Sequence, residues 1–172
     1  MTLHLIRHAD AGSRAHWSAP DGLRPLTAIG EDQARQIDAA LDAEPIAQVL
    51  SSPAVRCRQT VEPLASRRGL EVLDAPAFAE GGYGSDALDA ALDAVAAHGT
   101  VAICSHGDII PALVAAARRR GAHLDGSPSP AKGARYACTV VDGQISHLLG
   151  VEAPAITVDR RPDPRRSVSA AP

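Results

Sequence analysis

The sequence predicts an α/β fold: a three-layer sandwich whose mostly parallel central sheet is flanked by helices. Three observations carry that expectation. Short apolar runs alternate with helical stretches along the chain, the pattern of parallel strands joined by helical crossovers. The pairs Arg7-His8, Ser51-Ser52 and Ser105-His106 each follow an apolar run, and ligands of open α/β sheets bind beyond such strand ends. Asp142-Gly143 lies between two strand-like stretches, which is a strong hairpin signal.

Taken in order, Thr2 to Arg7 reads as a buried strand, and Asp10 to Pro25, punctuated by Gly12, Pro20, Gly22 and Pro25, as a loop over its end. Thr27 is a helix cap. Ile29, Ala34, Ile37 and Leu41 then fall on one helical face, with Glu31 and Asp32 near the positive end of the dipole. Gly30 in that first turn blurs where the helix begins. Ile46 to Leu50 is a second strand, Pro53 to about Arg68 a helix stopped by Gly69, and Leu70 to Leu73 a third strand. Asp74 to Gly84 is a loop, and Ser85 caps a helix that His98-Gly99 ends. Thr100 to Cys104 is a strand, followed by a helix from Gly107 to about Arg120, with Pro111 in its first turn where a missing N–H costs little. Arg135 to Val141 and Gln144 to Leu149 flank the hairpin turn. Residues 1–157 form one domain on this reading. Residues 158–172, with Arg160, Arg161, Arg165 and Arg166 among Pro, Ser and Ala, read as a disordered tail.

Bulk properties narrow the function. The 172 residues are long enough for a proper core, and 45% hydrophobic with 22% charged residues is ordinary for a globular chain. Aromatics at 2% leave few stacking platforms for single-stranded nucleic acid, and a net charge of −3 gives no general pull toward nucleic acid or anionic membranes. Neither partner is expected. Cys57, Cys104 and Cys138 have neither CxxC spacing nor an even count, so they suggest neither a zinc site nor a disulfide framework. Cys104 reads as a small hydrophobe. No stretch reaches membrane-span length. The first strand carries the proposed chemistry, which a cleaved signal peptide would remove, so a cytoplasmic location is expected.

Three fragments carry the chemistry. Leu3-His4-Leu5-Ile6-Arg7-His8-Ala9-Asp10-Ala11 delivers an arginine and a histidine to a strand end. Ser51-Ser52-Pro53-Ala54-Val55-Arg56-Cys57-Arg58-Gln59-Thr60 places a second arginine just inside a helix. Val101-Ala102-Ile103-Cys104-Ser105-His106-Gly107-Asp108 brings a second histidine between strand and helix. Phosphoryl transfer needs a nucleophile in line with phosphorus and positive charge on the equatorial oxygens. His8 is the candidate nucleophile, and it can attack only from a neutral nitrogen, which Arg7 and Arg56 favour by depressing its pKa. Arg7 and Arg56 supply fork-shaped donors matched to phosphate oxygens. Arg58 is assigned to a solvated face, and Gln59 and Thr60 to helix packing and loop bonding.

Together these fragments resemble the histidine phosphatase superfamily, with its phosphoglycerate-mutase-like fold, and particularly its short SixA-like phosphohistidine phosphatase branch. The resemblance spans roughly residues 1–150. It implies a phosphatase that hydrolyses a phosphomonoester or phosphohistidine through a covalent phospho-His8 intermediate, with catalytic residues His8, Arg7, Arg56, His106 and Glu80. Arg7, Arg56 and His106 are the expected phosphate ligands. His106 would stabilise transition-state charge, an effect worth about 3 kcal/mol. Glu80, in Phe78-Ala79-Glu80-Gly81-Gly82-Tyr83-Gly84, matches the loop where many members place the acid that protonates the leaving group. Phosphohistidine, with a good nitrogen leaving group, needs no strong acid.

One departure is clear: the usual Arg-His-Gly is Arg7-His8-Ala9 here, costing about 1 kcal/mol if that position needs a positive φ and nothing if it needs only a small side chain. Ala131-Lys132-Gly133-Ala134-Arg135-Tyr136 is similar to the Lys-Gly segment before the last strands of small phosphohistidine phosphatases, and of the phosphatase domain of some actinobacterial MutT-like proteins. It puts Lys132 either at the pocket rim or in solvent. Asp108 either orients His106, lines the pocket or serves the helix dipole.

His4, His16, His98 and His123 are read as strand, loop or helix-end residues outside the site. No metal and no cofactor are expected, since arginine and histidine supply the charge a divalent ion would bring. The expected substrate is a phosphorylated small molecule, a nucleotide or a phosphohistidine protein. Two alternatives stand beside the phosphatase. One is a phosphoglycerate-type mutase, for which the stretch from Arg56 to His106 is too short to hold a large lid. The other is a catalytically silent phospho-ligand-binding member. The oligomeric state is open.

Overall fold

The computed structural model describes residues 1–155, so the expected tail at 158–172 lies outside the described residues. Among the described residues seven strands form one sheet: β1 (Thr2–Arg7), β2 (Gln48–Ser51), β3 (Val72–Asp74), β4 (Val101–Ser105), β5 (His123–Asp125), β6 (Arg135–Val141) and β7 (Gln144–Val151). Four helices flank it: α1 (Ala28–Ala40), α2 (Val55–Arg67), α3 (Gly84–His98) and α4 (Ile109–Arg119). The strand order is β3-β2-β4-β1-β6-β7-β5. The expected α/β sandwich holds, but the sheet is mixed. β3, β2, β4 and β1 run parallel, β6 is antiparallel to both β1 and β7, and β5 pairs parallel with β7.

Alternation along β1 shows how the sheet divides its two cores. Leu3 and Leu5 face the cluster built with Leu88, Leu92, Leu113 and Val114 from α3 and α4. Ile6 faces the opposite cluster, with Ile37, Leu41, Val61 and Leu64 from α1 and α2. Side chains two apart share a face of a strand, so a short apolar run of mixed parity serves both layers. With so few aromatics, aliphatic residues fill nearly all of this space; Phe78 and Tyr136 are the buried exceptions.

Several boundaries differ from expectation for local reasons. Thr27 does cap α1, accepting a hydrogen bond from the Gly30 amide. Gly30 belongs inside the helix because a Cβ there would lie 2.0 Å from the Asp10 carbonyl oxygen. Ile29, expected on the buried face, is exposed. Helix α2 starts at Val55 rather than Pro53, after an extended Ala54. Ser85 does not cap α3: Tyr83 occupies the cap without a side-chain bond. Gly84 instead begins the helix, in a place where a Cβ would strike the Ala112 backbone of α4. Helix α4 starts at Ile109, after Asp108, whose carboxylate accepts from the Ile109 amide. Asp142 and Gly143 both take positive φ, 49° and 71°, as the tight hairpin turn requires. His123, expected in a polar loop, instead opens the edge strand β5.

Candidate active site

Arg7, His8, Arg56 and His106 lie together where the parallel strands terminate. The ends are laced by backbone bonds: the His8 amide donates to the Ser105 carbonyl and the Ser52 amide to the Cys104 carbonyl, both at 3.0 Å. Arg7 closes β1 and His8 follows it, while His106 follows β4 and Arg56 sits in the first turn of α2. The His8 and His106 rings stand edge to face with centroids 5.5 Å apart. Arg56 Nη2 is 3.3 Å from His106 Nδ1.

His8 is buried, and its Nδ1 lies 2.8 Å from the Ala9 carbonyl oxygen. A carbonyl only accepts, so the neutral ring carries its proton on Nδ1 and leaves Nε2 with a free lone pair. The neutral form is favoured. Burial, then the charges of Arg56, His106 and Arg7, lower the pKa to about 4, against the opposing effect of the Ala9 bond. The arginines act in the expected direction, with desolvation as the larger cause.

Ala9 resolves the departure at the first fragment. It is fully buried and does not adopt a positive φ. Its amide donates to Thr60 Oγ1 at 3.0 Å, and Thr60 in turn donates to the Arg56 carbonyl at 2.7 Å. A small residue is what the position needs. Gln59 accepts from the Leu26 amide, tying α2 to the loop after β1, and Arg58 pairs with Asp74 on the surface.

Arg7 is held by a bond from Nη1 to the Pro130 carbonyl at 2.7 Å. Its guanidinium lies against Gly107, where an added Cβ would come within 2.5 Å of Nη2. Arg56 is 1% exposed and donates from Nη1 to the Asp21 carbonyl. Its Nη2 also reaches carboxylate oxygens of Asp21 at 3.1 Å and Glu80 at 3.0 Å. His106 is fastened by Ser52, whose Oγ is 2.7 Å from Nε2. A hydroxyl donates or accepts, so this bond serves either ring tautomer.

Glu80 also lies at this centre, 3.5 Å from His106 Nδ1; it accepts from Arg14 and forms an ion pair with Arg56. Asp108 anchors its loop, taking a 2.9 Å bond from the Gly81 amide while capping α4. Lys132 stands on the rim of the cavity, paired to Asp10 at 2.9 Å.

Sequence reasoning missed Arg14, Asp21 and Arg24. These come from the loop after β1 and form a charged web with Arg56 and Glu80: Asp21 accepts from Arg24 and Arg14 at 2.9 Å each. The bond from Arg24, with further help from Arg14 and Arg56, holds the Asp21 carboxyl down at about 2 despite some desolvation. The only signal was three scattered charges in a loop that had to cross a strand end. Two cavities meet at Glu80, one of 540 Å³ bordered by Arg7, His8 and Lys132, the other of 350 Å³ bordered by Ser52, Arg56 and His106.

Residues 3–88 match the sequence model of the histidine phosphatase superfamily, branch 1. The chain belongs to this superfamily. A relative from Mycolicibacterium smegmatis, an 8-oxo-(d)GTP phosphatase, is 29% identical over 147 residues. That match takes in 84% of this chain and 46% of the relative, so the chain spans about half the length of the curated relative it matches. Among solved structures, the protein histidine phosphatase SixA complexed with tungstate superposes with a TM-score of 0.62 at 24% identity. The superposition covers 84% of this chain and 92% of that one. A mycobacterial glucosyl-3-phosphoglycerate phosphatase gives a TM-score of 0.69 at 15% identity, covering 89% and 99%. This histidine phosphatase family member thus shares its fold with phosphatases of quite different names.

Proposed function

We propose that the protein is a metal-independent phosphatase that hydrolyses a phosphomonoester or phosphohistidine through a covalent phospho-His8 intermediate. The observation that carries this reading is the His8 ring: buried within the field of Arg56 and Arg7, with its proton committed to the Ala9 carbonyl and Nε2 free. In the first step Nε2 forms a bond to phosphorus as the bond to the leaving oxygen or nitrogen breaks. Arg7, Arg56 and His106 take the charge of the three equatorial oxygens. In the second step water attacks the phosphohistidine, His8 leaves as the neutral ring, and inorganic phosphate departs.

Glu80, protonated before the first step, gives its proton to a poor leaving oxygen in this scheme and takes one back from the attacking water in the second step. Its place between Arg56, Arg14 and His106 supports that role, because it puts a carboxyl beside the phosphoryl ligands. The open, arginine-rimmed cavity suits a phosphoryl group carried on a larger body, whether a nucleotide, a small phosphorylated metabolite or a phosphohistidine side chain. The nucleotide option draws on the Mycolicibacterium relative.

Hydrolysis of an aryl phosphate by wild-type protein and by His8→Ala, both in excess EDTA, tests the reading. Turnover that survives EDTA and disappears in the variant is expected. Turnover unaffected by His8→Ala would refute the mechanism. Inactivity of both proteins, also toward a phosphohistidine peptide, would favour a phospho-ligand-binding role.

A further inference from the structure

At the edge of the sheet, with β5 three strands away from β1, β5 and β7 bring together three side chains with metal-ligand chemistry. The parallel ladder sets His123 opposite His147 and Leu124 opposite Leu148. Leu124 packs on the core, so its neighbours His123 and Asp125 project from the other face of the sheet. His147 reaches that face through an irregularity. The β6–β7 ladder slips by one residue, pairing Thr139 with His147 but Val140 with Ile145 and leaving Ser146 as an unpaired bulge. Ile145 and Leu148 can then both be buried, and His147 turns outward beside His123.

We propose that His123, Asp125 and His147 form a surface site for a divalent transition ion with a taste for imidazole, zinc foremost. His123 Nε2 lies 3.0 Å from one Asp125 carboxylate oxygen, and His147 Nε2 lies 2.8 Å from the other. One ligand atom from each residue falls within 4.8 Å of the other two. Tetrahedral zinc with bonds of about 2.0–2.2 Å holds its ligand atoms about 3.3 Å apart, so small side-chain rotations suffice.

Two neutral nitrogens and one carboxylate suit zinc, copper or nickel; calcium and magnesium prefer all-oxygen shells. Each Nε2 now donates to an Asp125 carboxylate oxygen, so on binding its proton moves to Nδ1 or is released as Nε2 turns to the ion. All three residues are reachable from solvent, which leaves the fourth position for water. No short motif announces this set, because Asp125 and His147 lie 22 residues apart. Nothing in the phosphoryl-transfer scheme uses it.

Zinc titration of the full chain by calorimetry in a phosphate-free, non-chelating buffer tests the proposal. The set comprises wild-type protein, His147→Gln, the double variant His123→Gln/His147→Gln, and His8→Ala. One zinc equivalent is expected in wild type and in His8→Ala. Losing even an outer partner of a ligand costs about 10–100-fold, so His147→Gln should weaken binding by at least about tenfold and the double variant should abolish it. Equal affinity in wild type and double variant would overturn the site, as would an equivalent lost only in His8→Ala, which would place the zinc in the phosphoryl pocket. A readout free of substitutions comes from the imidazole resonances of wild-type protein. Substoichiometric zinc should shift those of His123 and His147 first; movement of His8 or His106 first would contradict the proposal.

Discussion

The candidate site has two parts that differ in how the chain holds them: a floor of strand-end residues and a rim of loop residues. On the floor, the Arg56 and His106 side chains are 1% exposed, locked by strand-end backbone bonds and by Ser52. On the rim, the Arg14 side chain is 62% and the Glu80 side chain 40% exposed, and both are held by ion pairs, with one another and with Asp21 and Arg56. Buried groups with fixed partners cannot adapt to different ligands; solvated ion pairs rearrange at little cost. On the proposed mechanism, then, the floor carries the chemistry common to any phosphoryl substrate, and the rim decides which molecule brings it. Loops vary more easily than the strands they connect, which fits one fold shared by phosphatases of different names.

Substitutions can break this comparison. The largest effect belongs to the floor: His106→Ala should lower kcat by about 10²–10³-fold, by the same factor for an aryl phosphate, an alkyl phosphate and a phosphoramidate. Steady-state kinetics on the three substrates checks it, and a strongly substrate-dependent loss would move His106 to the rim. Gly107→Ala should follow with a fall of about tenfold or more, because its methyl displaces the Arg7 guanidinium. Its thermal midpoint should change little, since the displaced group is the far end of a side chain.

Glu80→Gln sharpens the division. It should slow an alkyl phosphate, which needs its leaving oxygen protonated, by about 10²-fold, while an aryl phosphate or phosphoramidate changes only slightly. Equal losses on all three would deny Glu80 the role of acid. The smallest effect is expected for Arg14→Ala, a change of a fewfold in KM with kcat held, since it removes one exposed ion-pair partner.

Titration offers a further probe of the floor. His8 has a folded pKa of about 4, below its ordinary 6.5. Between these values the unfolded chain binds a proton that the folded protein refuses, so the His8 contribution to stability is full above 6.5 and declines as pH falls toward 4. The His8 ring resonances should keep neutral-imidazole shifts down to about pH 5. A midpoint near 6.5 would mean that the ring is not desolvated.

The same contrast explains what the sequence reveals. Arg7, His8 and His106 could be placed together because apolar runs announce strands and strand ends converge in an α/β sheet, and Arg56 joined them through its place just inside a helix and through the family resemblance. Arg14, Asp21 and Arg24 could not, because Gly and Pro mark their loop without saying where its side chains point. Gly30 and Gly107 look dispensable in sequence. Only the approach of the Asp10 carbonyl and of Arg7 shows what each leaves room for. Strand β5 escaped notice because His123-Leu124-Asp125 has one apolar residue and no periodicity to read. The outward turn of His147 depends on the one-residue slip in the β6–β7 ladder, a register fact that no local pattern encodes.

The central claim is that the floor forms a bond to phosphorus. The stereochemical course of hydrolysis tests it most directly, using an aryl ester of an isotopically chiral phosphorothioate in labelled water. Each in-line displacement inverts phosphorus. Attack by His8 followed by attack of water therefore predicts net retention, and net inversion would show that water attacks the substrate directly, contradicting the phospho-His8 account.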